Sequence, residues 1–169
     1  MPTHLDPRWL SRPPGHVHAD LAEPCPFCAI VRGDAEAHIV AETDETVCFL
    51  DRLPATYGHV LVVPKQHVVD LFDIPDEVFG QVMAAAKRVA DALRDSCAAS
   101  GINLVHASGR AADQTVFHFH VHVVPRYDGD SIVVFPRLAD PSRANEVAER
   151  LRTALTTAPH QAPTESSHS

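Results

Sequence analysis

TVFHFHVHVVP, residues 115–125, is the stretch on which the reading of this chain turns. His118, His120 and His122 occupy every second position, and Phe or Val fills the gaps. A β-strand sends alternate side chains to opposite faces. The three imidazoles therefore share one face, and Phe117, Phe119, Val121 and Val123 share the other. The apolar face can pack on a helix while the rings line a cleft, with successive histidine Cα atoms about 6.5–7 Å apart. Imidazole is neutral or charged near pH 7 according to its surroundings, so such a row suits phosphate chemistry: one ring attacks while others donate to oxygens. The same spacing also permits a three-imidazole zinc site with an open position for water, or a partly buried polar sheet face.

Outward from this stretch the pattern alternates between short strands and longer helices. GINLVHAS (101–108) reads as a strand, separated from QTVFHFHVHVVP (114–125), also read as strand, by a Gly-Arg-Ala-Ala-Asp loop. Upstream, HIVAET (38–43) and TVCFLD (46–51) form two strands joined by Asp44-Glu45, and GHVLVVPK (58–65) a third, closed by Pro64. Between them lies a helix with Asp73 as its cap, Pro75 and two acids in its first turn, and Gly101 past its end. Its apolar stripe is Val78, Phe79, Val82, Met83, Ala86, Val89, Ala90, Leu93 and Cys97. A last helix, capped by Asp140 with Pro141 following, carries Val147, Leu151 and Leu155. Strands joined mostly by short turns, with helices inserted between them, predict an α+β fold on an antiparallel sheet.

The 169 residues are 45% hydrophobic, enough for one domain with a core plus tails. Residues 1–22 are polar and proline-rich and read as an N-terminal extension; 23–128 form the domain, 129–157 a C-terminal segment with a helix, and 158–169 a disordered tail. The net charge of −8 argues against a broad nucleic-acid surface. With neither a signal-peptide core nor a membrane-length apolar run, the expectation is a cytoplasmic protein with no membrane partner.

Several of these blocks, in this order, resemble the histidine triad (HIT) family. QTVFHFHVHVVPR (114–126) resembles its H-x-H-x-H signature followed by two apolar residues. FLDRLPATYGHVLVVPKQH (49–67) resembles its upstream block, and CPFCAIV (25–31) the N-terminal block of its zinc-carrying bacterial members. The resemblance implies a five-stranded antiparallel sheet with one long and one or two short helices, commonly in a homodimer. It implies hydrolase chemistry at the α-phosphate of a small-molecule nucleotide, either a nucleoside phosphoramidate or a dinucleoside polyphosphate. By position it makes His120 the nucleophile that forms a nucleotidyl-histidine, and His122 a partner of the phosphate or leaving group. His at 122 favours hydrolases, since the nucleotidyl-transferase branch has Gln there. Gln114 and Thr115 match polar positions facing the phosphate, and Asp51 the ribose-binding carboxylate. Phe27, Ile30 and Phe49 fall where the family packs the base, and His59 where it keeps a supporting histidine.

Cys25 and Cys28 form a C-x-x-C pair, which in a reducing compartment reads as metal-binding or redox. A thioredoxin-like redox site needs a preceding strand, and the upstream sequence offers none. Structural zinc needs four ligands, and the resemblance supplies His67 and His118 as the other two. Two departures from the family stand out. Ala107 replaces the usual Asn or Gln, and Asp113 replaces the Gly before Gln-Thr. They support an alternative, a catalytically weak nucleotide-binding or partner-binding module of the same family.

Overall fold

The computed structural model describes residues 25–131, 148 and 150–152. The elements are α1 (Pro26–Arg32), β1 (Ile39–Glu42), β2 (Thr46–Leu50), β3 (Val60–Pro64), α2 (Asp76–Cys97), β4 (Gly101–Val105), a 3-10 turn (Arg110–Ala112) and β5 (Val121–Arg126). The strands form one five-stranded sheet of order β1-β2-β3-β5-β4 in which every neighbouring pair is antiparallel. Over residues 25–131 this is the predicted α+β architecture, with one long helix and two short ones.

Period-two alternation builds two cores, one on each face of the sheet. Cys48, Val60, Val62, Phe119, Val121 and Val123 pack against Val82, Ala85, Ala86, Val89 and Leu93 of α2. On the opposite face Val47, Phe49, Leu61 and Val63 pack with Phe27 of α1. The helical stripe read from sequence is thus the buried face of α2, although Phe79 at its start stays 36% exposed. Burying apolar surface on both faces supplies the main driving force for this arrangement.

Three local expectations are corrected. Asp73 does not cap α2; Pro75 occupies the N-cap, and no side chain bonds to the helix end. Pro75 presets its own φ, and Asp76 and Glu77 favour the positive end of the helix dipole, so the missing cap is partly offset. Secondly, the strand read over 114–125 starts only at Val121. Residues 118–120 precede it because their neighbours have already left the sheet: the β4–β5 register ends at Val105–His122 and the β3–β5 register at Val62–Val121. Thirdly, Phe117 does not join the α2 core; the Arg110 guanidinium lies over its ring at 5.2 Å.

The chain divides into two units, Met1–Asp130 and Ser131–Ser169. In the second, Ala148 and residues 150–152 are helical, while Asp140, Pro141, Val147 and Leu155 lie outside the described residues, as do 1–24 and 153–169. Among the described residues no helix is long and apolar enough to cross a membrane.

Candidate active site and metal centre

The three imidazoles lie on the α1 side of the sheet, and hydrogen bonds set each of them differently. His120 is 5% exposed, and its Nδ1–H donates to the carbonyl of His118 at 2.6 Å. That bond fixes the tautomer and leaves the lone pair on Nε2. Burial pushes the ring below the ordinary imidazole range, and the bond to the His118 carbonyl, with the nearby Asp51, only partly offsets it. His120 is thus a neutral base with one nitrogen anchored and the other available. The Phe27 ring stands edge-on to it, with centroids 5.1 Å apart.

His122 is wired through His59. The Ala55 N–H donates to His59 Nδ1 at 3.1 Å, so the His59 proton is on Nε2. Nε2–H in turn donates to His122 Nδ1 at 2.9 Å, which places the His122 proton on its own Nε2. Gly58 permits this placement of His59: its φ is +85°, and a Cβ there would stand 2.9 Å from Leu93 Cδ2. Burial, reinforced by His120 and His59, holds His122 down at about 4. Two adjacent neutral rings, 4.9 Å apart, therefore differ in kind: His120 offers a lone pair and His122 a hydrogen-bond donor.

Asp51 follows β2. Its Oδ1 accepts from the Leu53 N–H at 2.8 Å, and its Oδ2 lies 3.7 Å from His59 Nε2 and 3.8 Å from His122 Nδ1. Asp51, His59 and His122 could be taken for a metal site. The hydrogen bonds argue otherwise, because the proton on His59 Nε2 removes the lone pair a metal would need.

His118 is different again. It is fully buried, and its Nε2–H donates to the carbonyl of Pro64 at 2.9 Å. Its Nδ1 lone pair faces the cysteines, 3.3 Å from Cys25 Sγ and 3.5 Å from Cys28 Sγ. His67 Nδ1 lies 3.2 Å from Cys28 Sγ. All four donor atoms fall within 4.8 Å of one another. Bonds of about 2.0–2.3 Å to a central ion put tetrahedral neighbours roughly 3.3–3.8 Å apart, so this S2N2 set fits a tetrahedral divalent metal. Burial pushes the Cys28 thiol up to about 11, and a coordinated cation deprotonates such a thiol outright. Among the described residues no metal-type cluster unites the three triad histidines. The water-activating three-imidazole reading therefore has no geometric support.

The remaining predicted residues are placed as follows. Phe27 and Phe49 are members of the closed core behind His120, and Ile30 is half-buried at its edge. Gln114 is buried with both ends of its amide bound to backbone: Gly109 N–H donates to its Oε1, and its Nε2 donates to the carbonyls of Val69 and Val116. Thr115 beside it is exposed. Asp113 is also exposed, in the left-handed region at φ 65°, which a glycine occupies without strain. In the sequence His106 and Ser108 are read only as part of the strand GINLVHAS. In the structure His106 Nδ1–H donates to the His120 carbonyl at 2.8 Å, and its Nε2 meets Ser108 Oγ at 2.7 Å. The signal was there in H-A-S at the end of a strand neighbouring the triad. On the other sheet face, an apolar cleft of about 660 Å³ between α2 and β1–β2 includes Val40, Leu50, Val89 and Leu93.

Comparison with known proteins bears on this arrangement. The family described as HIT domain matches residues 32–129. An uncharacterised HIT-like protein of Mycobacterium tuberculosis is 44% identical over 111 residues, 66% of this chain and 77% of that protein. A Zn-bound histidine triad family protein from Mycobacterium smegmatis has a similar structure, with TM-score 0.63, 45% identity, and coverage of 78% of this chain and 93% of that one. A histidine triad nucleotide-binding protein from Candida albicans superposes with TM-score 0.67 at 30% identity, over 79% of this chain and 98% of that one.

Proposed function

Since this chain belongs to the HIT family, we propose that it is a nucleotide hydrolase that cleaves at the α-phosphate through a covalent intermediate on His120. The substrate class is a nucleoside phosphoramidate or dinucleoside polyphosphate. The observation that carries this reading is the 2.6 Å bond from His120 Nδ1–H to the His118 carbonyl. It presents a neutral Nε2 lone pair, the form an imidazole needs to attack phosphorus. In the first step Nε2 bonds to the α-phosphorus as the bond to the leaving group breaks, and the ring becomes a cation. The Nδ1–H bond to a carbonyl strengthens as that charge develops, so it favours the transition state over the ground state. His122 Nε2–H donates a hydrogen bond to the phosphate or the departing atom. A neutral imidazole is far too weak an acid to surrender that proton, so the leaving group takes its proton from solvent. Water then displaces His120 from phosphorus and releases the nucleoside monophosphate.

Asp51 is the proposed ribose acceptor, with His59 supporting His122. Phe27, Ile30 and Phe49 form the apolar wall near the base, and Gln114 and Thr115 border the phosphate. Cys25, Cys28, His67 and His118 would hold zinc in a structural role, tying α1 to the end of β3 and to the residue two before the nucleophile. The Zn-bound relative supports this assignment. The domain proposed for this chemistry spans 23–128. A homodimer is the assembly the family resemblance favours.

The test is intact-mass capture of a nucleotidyl adduct after brief mixing with an adenosine phosphoramidate, with peptide mapping to His120. Wild type should gain one nucleotidyl group, a nucleoside monophosphate less one water, and His120→Ala none, with turnover lost by more than about 1,000-fold. Full turnover in His120→Ala would overturn the covalent route.

A further inference from the structure

His120 lies where the sheet has stopped holding the backbone. The β4–β5 register ends two residues later, at Val105–His122, and the segment before it is fixed mainly by side chains. Phe119 N–H donates to the Val68 carbonyl at 2.7 Å, and the His120 ring occupies the His118 carbonyl. The His120 carbonyl accepts from His106 Nδ1–H at 2.8 Å.

The direction of that last bond follows from its acceptor, since a carbonyl oxygen has no proton to give, and the neighbouring bonds agree with it. The Leu71 N–H donates to Ser108 Oγ at 2.9 Å, leaving the Ser108 hydroxyl proton for His106 Nε2 at 2.7 Å. His106 is thereby held with its proton on Nδ1, facing the carbonyl of His120. The His106 ring also stacks on the fully buried Phe119, with centroids 4.2 Å apart and planes 32° from parallel. A continuous series of bonds thus runs from Leu71 through Ser108 and His106 to the peptide that carries the reacting ring.

We propose that His106, set in one tautomer by Ser108, is a positioning residue for His120: by tethering the His120 carbonyl it fixes the peptide from which the attacking ring projects. This rests on the reading of His120 as nucleophile. Ala107, where relatives of the family pattern carry an amide, provides no side chain for this purpose, and the residues on either side of it do so. His106 touches neither the reacting nitrogen nor any group on phosphorus. Its effect is geometric, and a displacement of about 1 Å at an attacking atom is enough for a loss near 100-fold.

Two substitutions separate the tether from simple packing. His106→Phe keeps a ring on Phe119 and removes the donor; His106→Asn removes the ring and keeps an N–H at the position of Nδ1. The tether predicts that His106→Phe lowers kcat by about 10- to 100-fold with KM nearly unchanged, and that His106→Asn recovers most of the loss. Ser108→Ala, which frees the tautomer, should fall between. A packing role predicts the reverse order, with Phe active and Asn impaired, and that order would overturn the proposal. A second readout does not depend on turnover: the ¹⁵N imidazole spectrum of His120 should show a single Nδ1–H tautomer in wild type and in His106→Asn, and a mixture in His106→Phe. Identical His120 signals in wild type and His106→Phe would also overturn the proposal. Should wild type form no adduct at His120, the hydrolase reading fails, and these spectra still decide whether His106 holds the ring.

Discussion

Gln114 shows how much a single side chain can hold through bonds to the backbone. Its amide accepts from Gly109 at 2.6 Å and donates to Val69 at 2.7 Å and Val116 at 3.2 Å, closing the loop that brings His106 and the histidine segment together. It is 5% exposed, so removing the amide strands backbone groups away from water. Gln114→Ala should lower stability by about 2–3 kcal/mol, read as a drop in the urea midpoint with an unchanged slope. A loss confined to activity, with stability intact, would instead give Gln114 a direct role at the phosphate. From the sequence its polar character and its place before the triad were legible. The direction of its amide was not, because Val69 is far away along the chain.

At the scale of elements, α1 is the one least able to stand alone. It has 7 residues, well short of the about 12–15 at which an isolated helix becomes marginal in water. The Cys25 thiol caps it by accepting from Cys28 N–H, and Gly33 closes it in the left-handed region. Phe27 anchors one side in the β2–β3 core, and the sulfurs meet His67 and His118 on the other. If the four-donor cluster holds zinc, a strong chelator should speed amide exchange across residues 26–32 first and lower Tm, while α2 keeps its protection. Unchanged exchange in α1 after the metal is stripped would mean that Phe27 packing suffices. The C-x-x-C pair and the period of α2 were readable because both are local patterns. The true start of β5 was not, since pairing depends on where β3 and β4 end.

Over the whole molecule, the buried and half-buried imidazoles make stability depend on pH in a definite direction. His122 is held at about 4 against an ordinary value of 6.5, and His59 and His120 are lowered by the same cause, burial. Above pH 6.5 the rings are neutral in both folded and unfolded chains, and no dependence arises from them. Below it the unfolded chain binds protons that the folded one refuses, so stability falls as the pH drops toward 4. For His122 alone the limit is about 3 kcal/mol. His122→Gln keeps a side-chain N–H and cannot titrate, so its urea midpoint should fall less steeply between pH 7 and 5 than that of wild type. Parallel slopes would show that folding leaves the proton affinity of His122 unshifted.

The amino-acid order by itself determined what depends on near neighbours: the alternation that puts imidazoles and apolar side chains on opposite sides, the stripe of α2, the paired cysteines and the family they point to. Tertiary structure decided which nitrogen each ring presents. An imidazole offers a lone pair or a hydrogen-bond donor according to which of its nitrogens is already bound. Those partners (Pro64 and the cysteines for His118, His59 and behind it Ala55 for His122, Ser108 for His106) come mostly from other segments that meet only when the sheet closes.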